Sequence, residues 1–288
     1  MKKQISAAIA CMFFLIAPLS VFASADMGPK PDLIIKVINA PEERYYLDLL
    51  TIEPGSSPNL EHDRHETEHD PDILSRLYGW EEEGWYPAFA GGSRAPLFGS
   101  LTGEQEGEEV VHHFTYVGLP STFRIVTATA SGAQATAQTY TRSVFHTVIT
   151  YDYAQNTFTA PSVWLLYVAQ FLSTALPTLL IEGVILLLFR FKWRENAKVF
   201  LLANLATQLF LTATMGRFLI VQGANFFYFP ILLLMELVVF IAEGIVFACH
   251  LKGASKGQRI CYAVCANAAS MLFGMLTTTR IYELICNI

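Results

Sequence analysis

Charged residues are scarce in this chain of 288 residues, since only 15 % are Asp, Glu, Lys or Arg, whereas 53 % are hydrophobic. Soluble globular domains carry about 25 % charged residues, so the composition argues against an ordinary soluble protein. Recognisable catalytic motifs are scarce too. The sequence shows no nucleotide-binding motif, which argues against a nucleotide-driven motor and predicts no cofactor.

Cysteine is absent from residues 26–160, although the whole chain has five. Disulfides therefore cannot stabilise this region, which must bury a core of its own, and about 135 residues suffice for one domain. Cys261 and Cys265 share a helix face, but no second pair of ligands accompanies them. They are therefore interpreted as small buried residues rather than as a metal site.

Positive charge is also scarce in residues 26–160, which hold 8 Lys or Arg against 20 Asp or Glu, a balance of −12. Residues 161–288 carry 9 against 5, a balance of +4. An acidic surface repels phosphate backbones, so no nucleic acid partner is expected. The change in charge and hydropathy predicts one domain over 26–160 and a second, membrane domain over 161–288.

The first 25 residues have the three parts of a secretory signal peptide. Lys2 and Lys3 precede an apolar run over 7–19, and the small residues Ala23, Ser24 and Ala25 follow it. We therefore predict a signal peptide over 1–25 and a mature chain that begins at Asp26. An uncleaved anchor is the alternative, but the apolar run is short for a span.

The sequence of residues 26–160 predicts an exported, antiparallel β-sandwich-like domain. Candidate strands rich in β-branched and aromatic residues, separated by turn residues, lie at 32–39, 44–52, 110–117, 122–130, 133–141 and 144–153. A long insertion over 54–107 is predicted to be a surface loop with a short helix near 73–77. Its aromatic residues either pack onto the domain or contact a sugar or a membrane.

A histidine-rich stretch inside this insertion matches the H-E-x-x-H pattern at His65-Glu66-Thr67-Glu68-His69. Zinc proteases carry this pattern on a helix whose other face is apolar, but residues 58–71 contain only one sizeable apolar residue, Leu60. A metalloprotease is therefore disfavoured, and the protein is not expected to be an enzyme. If the stretch is helical, the sequence still allows a weak zinc or copper site, or histidines that become protonated at about pH 6. Its three candidate ligands are His62, His65 and His69.

Four apolar stretches at about 164–189, 199–214, 228–249 and 260–278 predict a four-helix transmembrane bundle. Basic residues crowd the first and third connections, which the positive-inside bias places in the cytoplasm. The chain is thus expected to be a multi-pass plasma-membrane protein with its N-terminal domain and C-terminus outside the cytoplasm. The basic residues are Arg190, Lys192, Arg194 and Lys198 in one connection and Lys252, Lys256 and Arg259 in the other.

Polar residues within the apolar stretches form a predicted intramembrane layer. Its members are Glu182, Asn204, Gln208, Glu236, Glu243 and Asn267. Counting about 1.5 Å per residue places one polar residue of each helix roughly 10 Å from the cytoplasmic end. Two roles remain open: interhelical hydrogen bonds that fix how the helices pack, or binding of a cation or proton by carboxylate and amide oxygens.

Several segments carry a resemblance to a known family. They are Asp26-Met27-Gly28-Pro29-Lys30-Pro31, the strand Tyr45-Tyr46-Leu47-Asp48-Leu49-Leu50, Leu180-Ile181-Glu182, Asn204-Leu205-Ala206-Thr207-Gln208 and the stretch from Glu236 to Glu243. The chain resembles an uncharacterised family of bacterial, Gram-positive-type membrane proteins over nearly its whole length. That resemblance implies a signal peptide, an exported domain and four spans, but no activity. The histidine-rich stretch departs from the family pattern.

Two classes of function follow from these observations. The first is ligand or partner binding by the exported domain, in a scaffold or sensor role, with the bundle as anchor or relay. The alternative is binding or transport of a cation or proton through the polar layer. The expected partners are the lipid bilayer and either another membrane protein or further copies of this chain.

Overall fold

The computed structural model describes residues 30–66, 68–80, 84–223, 225 and 227–286, without the side chains of 279 and 282–286. The predicted signal peptide over 1–25 therefore lies outside the described residues. The chain forms two compact units. One unit holds Lys30–Val163 with Ile220–Gly223, and the other holds Trp164–Leu219 and the helices that follow residue 227.

The first unit is rich in β-structure. Its strands are β1 (Asp32–Ile38), β2 (Tyr45–Thr51), β3 (Tyr86–Pro87), β4 (Glu104–Glu106), β5 (Glu109–Thr115), β6 (Thr122–Thr129), β7 (Ala133–Ala135), β8 (Tyr140–Thr141), β9 (His146–Asp152) and β10 (Thr157–Thr159). One sheet has the order β10-β9-β1-β5-β4 and the other the order β3-β2-β6-β7, with β8 also on β6. The predicted fold class, a β-rich domain followed by four apolar helices, is confirmed.

Side-chain alternation explains why these strands form two packed sheets. In β1, Leu33, Ile35 and Val37 are fully buried while the residues between them are partly exposed, as expected for a strand with one face on a core. Every residue of β2 is buried, because the helix α1 (Pro71–Tyr78) packs on this sheet through β2 and β6.

Strand pairing differs from the simplest sequence prediction in one respect. β1 and β2 follow one another in the chain, yet they lie in different sheets. β1 instead pairs antiparallel with β5 and parallel with β9, so the first sheet is mixed. The physical reason is that β1 has a single apolar face, which must point at the opposite sheet to be buried.

The segment 133–141, expected as one strand, is interrupted between β7 and β8. At the interruption the buried Thr136 hydroxyl accepts from Ile125 N–H and donates to the Gln138 carbonyl. The insertion over 54–107 is more than a surface loop, because Phe89 and Leu101 are fully buried in the core. The expectation that its aromatic residues pack onto the domain holds for Phe89.

The second unit consists of long apolar helices. They are α2 (Val163–Leu188), α3 (Trp193–Leu211) continued by a π-helical turn (Thr212–Gly216) and α4 (Arg217–Gln222), then α5 (Tyr228–His250) and α6 (Lys256–Cys286). Four segments are long and apolar enough to cross a membrane, with mean hydropathy between 1.5 and 2.5. They are the first span Val163–Leu188, the second span Trp193–Gln222, the third span Tyr228–His250 and the fourth span Lys256–Thr278. The second span runs beyond the predicted 199–214, because the helix begins in a polar segment at Trp193 and continues past Thr214, through Arg217 and a further apolar run, to Gln222.

Candidate functional site

The six polar residues predicted to form an intramembrane layer all lie in the four-helix unit. Five of them are at most 7 % exposed, and Glu236 is half-buried. All of them except Asn204 line one cavity of about 70 Å³, which has room for several water molecules. The five buried members are Glu182, Asn204, Gln208, Glu243 and Asn267.

The Glu182 carboxylate connects three spans. Its Oε1 accepts a hydrogen bond of 2.7 Å from the Ser270 hydroxyl on the fourth span. The Asn204 side chain, on the second span, lies beside the same carboxylate. A carboxylate on the first span is thus held between one hydroxyl and one amide.

The Glu243 carboxylate, on the third span, has matching neighbours. The Thr207 hydroxyl of the second span donates to its Oε1, and the Asn267 side chain of the fourth span lies beside it. Both carboxylates therefore meet one hydroxyl and one amide, drawn from the second and fourth spans in each case. The two groups are close enough for Glu243 to act electrostatically on Glu182.

Three buried oxygen atoms in this layer have no hydrogen-bond partner among the described residues. They are Glu182 Oε2, Glu243 Oε2 and Asn204 Oδ1. Buried polar atoms in native proteins nearly always have a partner. Two neighbouring carboxylates in a medium of low dielectric constant cannot both be ionised without large cost. These three oxygen atoms therefore lack a donor within hydrogen-bond distance among the described residues, an arrangement that a proton or a metal cation could satisfy.

Polar atoms continue along the cavity away from this layer. Gln208 Nε2 lies 3.5 Å from the Thr178 hydroxyl, and Glu236 lines the same cavity. Further along, Gln170 is buried and its Oε1 has no partner among the described residues. A Cβ on Gly216 would lie 2.4 Å from that oxygen, so a larger residue at position 216 would displace the end of the Gln170 side chain.

The second span contains the π-helical turn Thr212–Gly216 beside this cavity. Met215 of the turn and Leu211 just before it both line the cavity. Single π-helical turns inside α-helices occur frequently at functional sites, because they re-aim side chains at one point of an otherwise regular helix. Nothing in the amino-acid sequence signalled this turn.

The predicted histidine face does not form, because only Asn59–His62 is helical and the turn there is a 3₁₀-helix. His62 packs edge-on against Phe98, with ring centroids 5.0 Å apart. His65 and His69 have separate partners, at 3.2 Å from Glu104 and 2.9 Å from Asp63. Across the described residues, no group of three or more His, Cys, Asp or Glu is arranged to hold a metal ion.

The glutamate of the H-E-x-x-H pattern also has a partner of its own. Glu66 forms an ion pair with Arg44, which precedes β2. Thr67 lies outside the described residues. The pattern therefore lacks the helix on which a zinc protease depends.

A second catalytic-looking pattern occurs in the connection between the third and fourth spans. Residues 253–257 read Gly-Ala-Ser-Lys-Gly and match G-x-S-x-G. A hydrolase nucleophile of this type sits on a sharp turn from a strand into a helix. Ser255 instead lies between two helices and is exposed. This match to the pattern therefore does not indicate a hydrolase.

Asp48 is a buried carboxylate that the sequence analysis did not single out. It lies in the middle of β2, is fully buried, and accepts hydrogen bonds from the backbone N–H groups of Leu49, Phe89 and Ala90. Burial raises its pKa to about 6, and the three N–H groups partly oppose that shift. Asp48 thereby fixes the turn after β3. The available signal was an acidic residue inside an otherwise apolar strand.

Asp32, at the start of β1, joins two histidines from neighbouring strands. His113 on β5 donates to Oδ1, and His146 on β9 lies 2.8 Å from Oδ2. Burial raises the pKa of Asp32, but the hydrogen bonds and charges of His113 and His146 outweigh burial and hold it well below its usual range. Arg64 lies 3.1 Å from the other ring nitrogen of His113. Only the strand register brings these residues together.

These features define the class of protein: a multi-pass membrane protein with a β-rich domain of two sheets and four apolar helices that enclose buried carboxylates. Comparison with models of protein families, with curated proteins and with solved structures finds no match for the chain. The geometry of the buried carboxylates is therefore the observation from which a function is argued.

Proposed function

We propose that the four-helix domain reversibly binds a small cation, either a proton or a metal ion, at Glu182 and Glu243. The observation that supports this function is the set of three buried oxygen atoms without donors among the described residues, Glu182 Oε2, Glu243 Oε2 and Asn204 Oδ1. Carboxylate and amide oxygens are the ligands that hard cations prefer. Water can reach the site through the cavity beside it.

A purely structural role for these residues accounts less well for the same atoms. Interhelical hydrogen bonding explains the contacts of Ser270 with Glu182 and of Thr207 with Glu243. It does not explain why Glu182 Oε2 and Glu243 Oε2 have no donor within hydrogen-bond distance among the described residues, although the Asn204 and Asn267 amides lie beside the two carboxylates. A residue that served only to join helices would do so at lower cost as an amide, which carries its own donors.

The test is the thermal stability of the full-length protein in detergent, measured across a pH series and across Na⁺, K⁺, Mg²⁺ and Ca²⁺ at constant ionic strength. A ligand at about 100 times its dissociation constant stabilises the folded state by about 2.7 kcal/mol. We expect stabilisation by one metal ion or by acid, and its loss in Glu182→Gln/Glu243→Gln. The pH series distinguishes protons from metals. A parent protein that no cation stabilises contradicts the proposal.

Ligand or partner binding by the β-rich domain is a second candidate function, supported by the conformation of Tyr116. This residue has a φ of 93°, which is unfavourable for a non-glycine residue and is often found at functional positions. Its ring packs 4.5 Å from that of Phe98, and Lys30 lies over it at 5.3 Å. Tyr116→Ala should leave the fold intact and weaken capture of a partner in cross-linking on whole cells. Unchanged capture contradicts this role.

We also propose that 1–25 is a cleaved signal peptide and that the β-rich domain lies outside the cytoplasm. The basic first and third connections support this orientation through the positive-inside bias. Ser100 is buried, whereas Ala154 and Ser255 are exposed, so the last two positions suit cysteine labelling. Ala154→Cys should react with an impermeant thiol reagent on intact cells, and Ser255→Cys only after permeabilisation. The reverse pattern contradicts the orientation.

A further inference from the structure

The polar layer is bordered by a different kind of residue on each side. Moving one helical turn from each polar residue, toward the end of the bundle with the basic connections, reaches an apolar residue in all four spans. Each is at most 2 % exposed, and all belong to one cluster. They are Leu186, Phe200, Phe247 and Ala263, four positions from Glu182, Asn204, Glu243 and Asn267 respectively. A complete apolar layer therefore closes this side.

Moving one turn in the opposite direction gives the opposite result. The residues reached there, one from each span, all line the cavity. They are Thr178, Gln208, Val239 and Met271. The carboxylates thus lie at the bottom of a cavity that extends in one direction only, toward the end of the bundle at which the first span begins.

Tyr262 strengthens the closed layer. It is fully buried, and its ring packs against those of Phe191 and Phe247, with centroid distances of 5.4 Å in both cases. Its hydroxyl lies 3.5 Å from the backbone oxygen of Glu182. Tyr262 therefore connects the apolar layer directly to the helix turn that carries the carboxylate.

Hydrogen bonds fix the connections beyond this layer. The buried Asn196 side chain bonds the carbonyls of Lys192 and Lys252 and accepts from the Lys252 N–H at 2.7 Å. Gln258 donates to the carbonyl of Phe189 at 2.8 Å. The first and third connections are thus joined to each other and to the helix ends at the closed end of the bundle.

We infer that the apolar layer of Leu186, Phe200, Phe247, Tyr262 and Ala263 is a closed gate, which limits access to the cation site to the side on which the first span begins. This inference rests on the proposed cation site and adds its direction of access. A dry constriction of apolar side chains blocks ions because they cannot shed their hydration there. In this state the protein binds cations from one side and does not conduct them.

The experiment measures cation flux in liposomes of phosphatidylcholine and phosphatidylglycerol that contain the full-length protein. Internal dyes for pH, Na⁺, K⁺, Mg²⁺ and Ca²⁺ report flux after a jump in the concentration of the matching ion, with the membrane potential clamped. Parent protein should give only the background flux of protein-free liposomes. Tyr262→Ala should raise flux at least about tenfold, because it opens the dry layer. Phe247→Ala opens the same layer from another span and serves as the second variant.

Three controls separate the gate from general damage. Phe210→Ala removes an aromatic ring from the lipid-facing side, where Phe210 is 42 % exposed, and should leave flux at background. Tyr262→Phe keeps the ring and should stay closed. Tyr262→Ala combined with Glu182→Gln and Glu243→Gln should return flux to background, since the opened path leads through the carboxylates.

The outcomes distinguish the gate from the site. Background flux in both Tyr262→Ala and Phe247→Ala, in proteins that still show cation-dependent stability, overturns the gate and leaves the site standing. Flux that persists without the two carboxylates also overturns the gate, because the path then bypasses the site. A parent protein that no cation stabilises contradicts the proposed function itself.

Discussion

The two units of the molecule bury carboxylates in contrasting ways. In the β-rich unit, Asp48 accepts three backbone N–H groups, with both of its oxygens occupied. In the helical unit, Glu182 and Glu243 each accept from one hydroxyl and keep a second oxygen without a partner among the described residues. All three side chains are at most 2 % exposed.

This difference separates an acid with a structural role from the two acids that we propose to bind a cation. Backbone N–H groups are fixed donors, so Asp48 needs nothing further and holds a turn in place. The Ser270 and Thr207 hydroxyls each donate to only one oxygen of Glu182 and of Glu243, and in the proposed function a small cation binds at the second oxygen. Burial alone therefore does not identify a functional acid, because the decisive feature is an oxygen that its own protein leaves open.

Removing Asp48 should have the largest effect on stability. Asp48→Ala leaves the N–H groups of Leu49, Phe89 and Ala90 buried without an acceptor, and we expect a loss of about 3–5 kcal/mol in the free energy of unfolding. Denaturant titration of the full-length protein, followed by hydrogen exchange of β2 amides, measures this. Asp72→Ala, at an exposed position in α1, is the matched control and should cost under about 1 kcal/mol. Equal losses in both variants contradict the structural role of Asp48.

The pH dependence of β-domain stability should contain two opposing contributions, from Asp48 and His112. The pKa of Asp48 is raised from 3.8 to about 6, so folded protein keeps a proton that unfolded chain has lost, and stability falls as pH rises through that interval. Burial lowers the pKa of His112 from 6.5 to about 4, so unfolded chain binds the extra proton and stability rises with pH there. Each of the two pKa shifts changes the free energy of unfolding by about 3 kcal/mol.

Replacing His112 isolates the contribution of Asp48 to the pH dependence of stability. His112→Gln keeps a polar partner for the Tyr45 hydroxyl, which lies 3.0 Å from His112, but removes the titrating ring. Unfolding free energies measured from pH 4 to pH 6.5 should be nearly flat in the parent and should fall with rising pH in the variant. A variant whose stability rises over this interval contradicts the assignment to Asp48.

Substitutions of Glu182 should have intermediate effects that depend on the replacement. Glu182→Gln keeps hydrogen-bonding groups for Ser270 and Asn204, so its melting temperature should correspond to a loss under about 1 kcal/mol. Glu182→Leu leaves both neighbours without that partner, and a loss of about 2 kcal/mol is expected. If Gln destabilises as strongly as Leu, charge at this position is needed for folding, and the contrast with Asp48 disappears.

The smallest effect is expected from the histidine-rich stretch. Glu66→Gln removes an ion pair in which the Arg44 side chain is 52 % and the Glu66 side chain 8 % exposed. Because Arg44 stays solvated and Gln keeps an acceptor for it, stability should change by under about 1 kcal/mol. Cation-dependent stability of the bundle should not change at all. Stoichiometric zinc in the purified protein, lost together with a hydrolytic activity when His65 and His69 are replaced, contradicts this expectation.

Sequence patterns predicted the four long apolar helices well, because hydrocarbon penalises polar groups strongly and leaves few alternatives. Strand positions followed from alternation and turn residues. The pairing of the strands could not be predicted in this way, because β1 pairs with β5 and β9, which lie far from it in the chain. The cluster at Asp32 was hidden for the same reason, because His113 lies 81 residues away.

The open oxygens of Glu182 and Glu243 could not be predicted from sequence at all. Whether a carboxylate is satisfied depends on which hydroxyl or amide points at each oxygen, and composition or spacing does not carry that information. The sequence placed Glu182, Asn204, Glu243 and Asn267 at one depth, and the structure adds their pairing. The sequence shows an apolar residue one helical turn from each polar residue. That these apolar residues close one side of the site follows only from the position of the cavity in the structure.

Chemical modification of buried carboxyl groups shows directly whether Glu182 and Glu243 take up a proton or a metal ion. The full-length protein in native membranes is treated with dicyclohexylcarbodiimide, which reacts with protonated carboxyl groups in apolar surroundings, and mass spectrometry locates the modified residues. We expect modification at Glu182 or Glu243, protection by the stabilising cation or by alkaline pH, and no reaction at Asp48 when the pH is above its pKa of about 6 and its oxygens both accept hydrogen bonds. Modification that no cation and no pH change affects, or modification at Asp48 alone, would contradict this expectation.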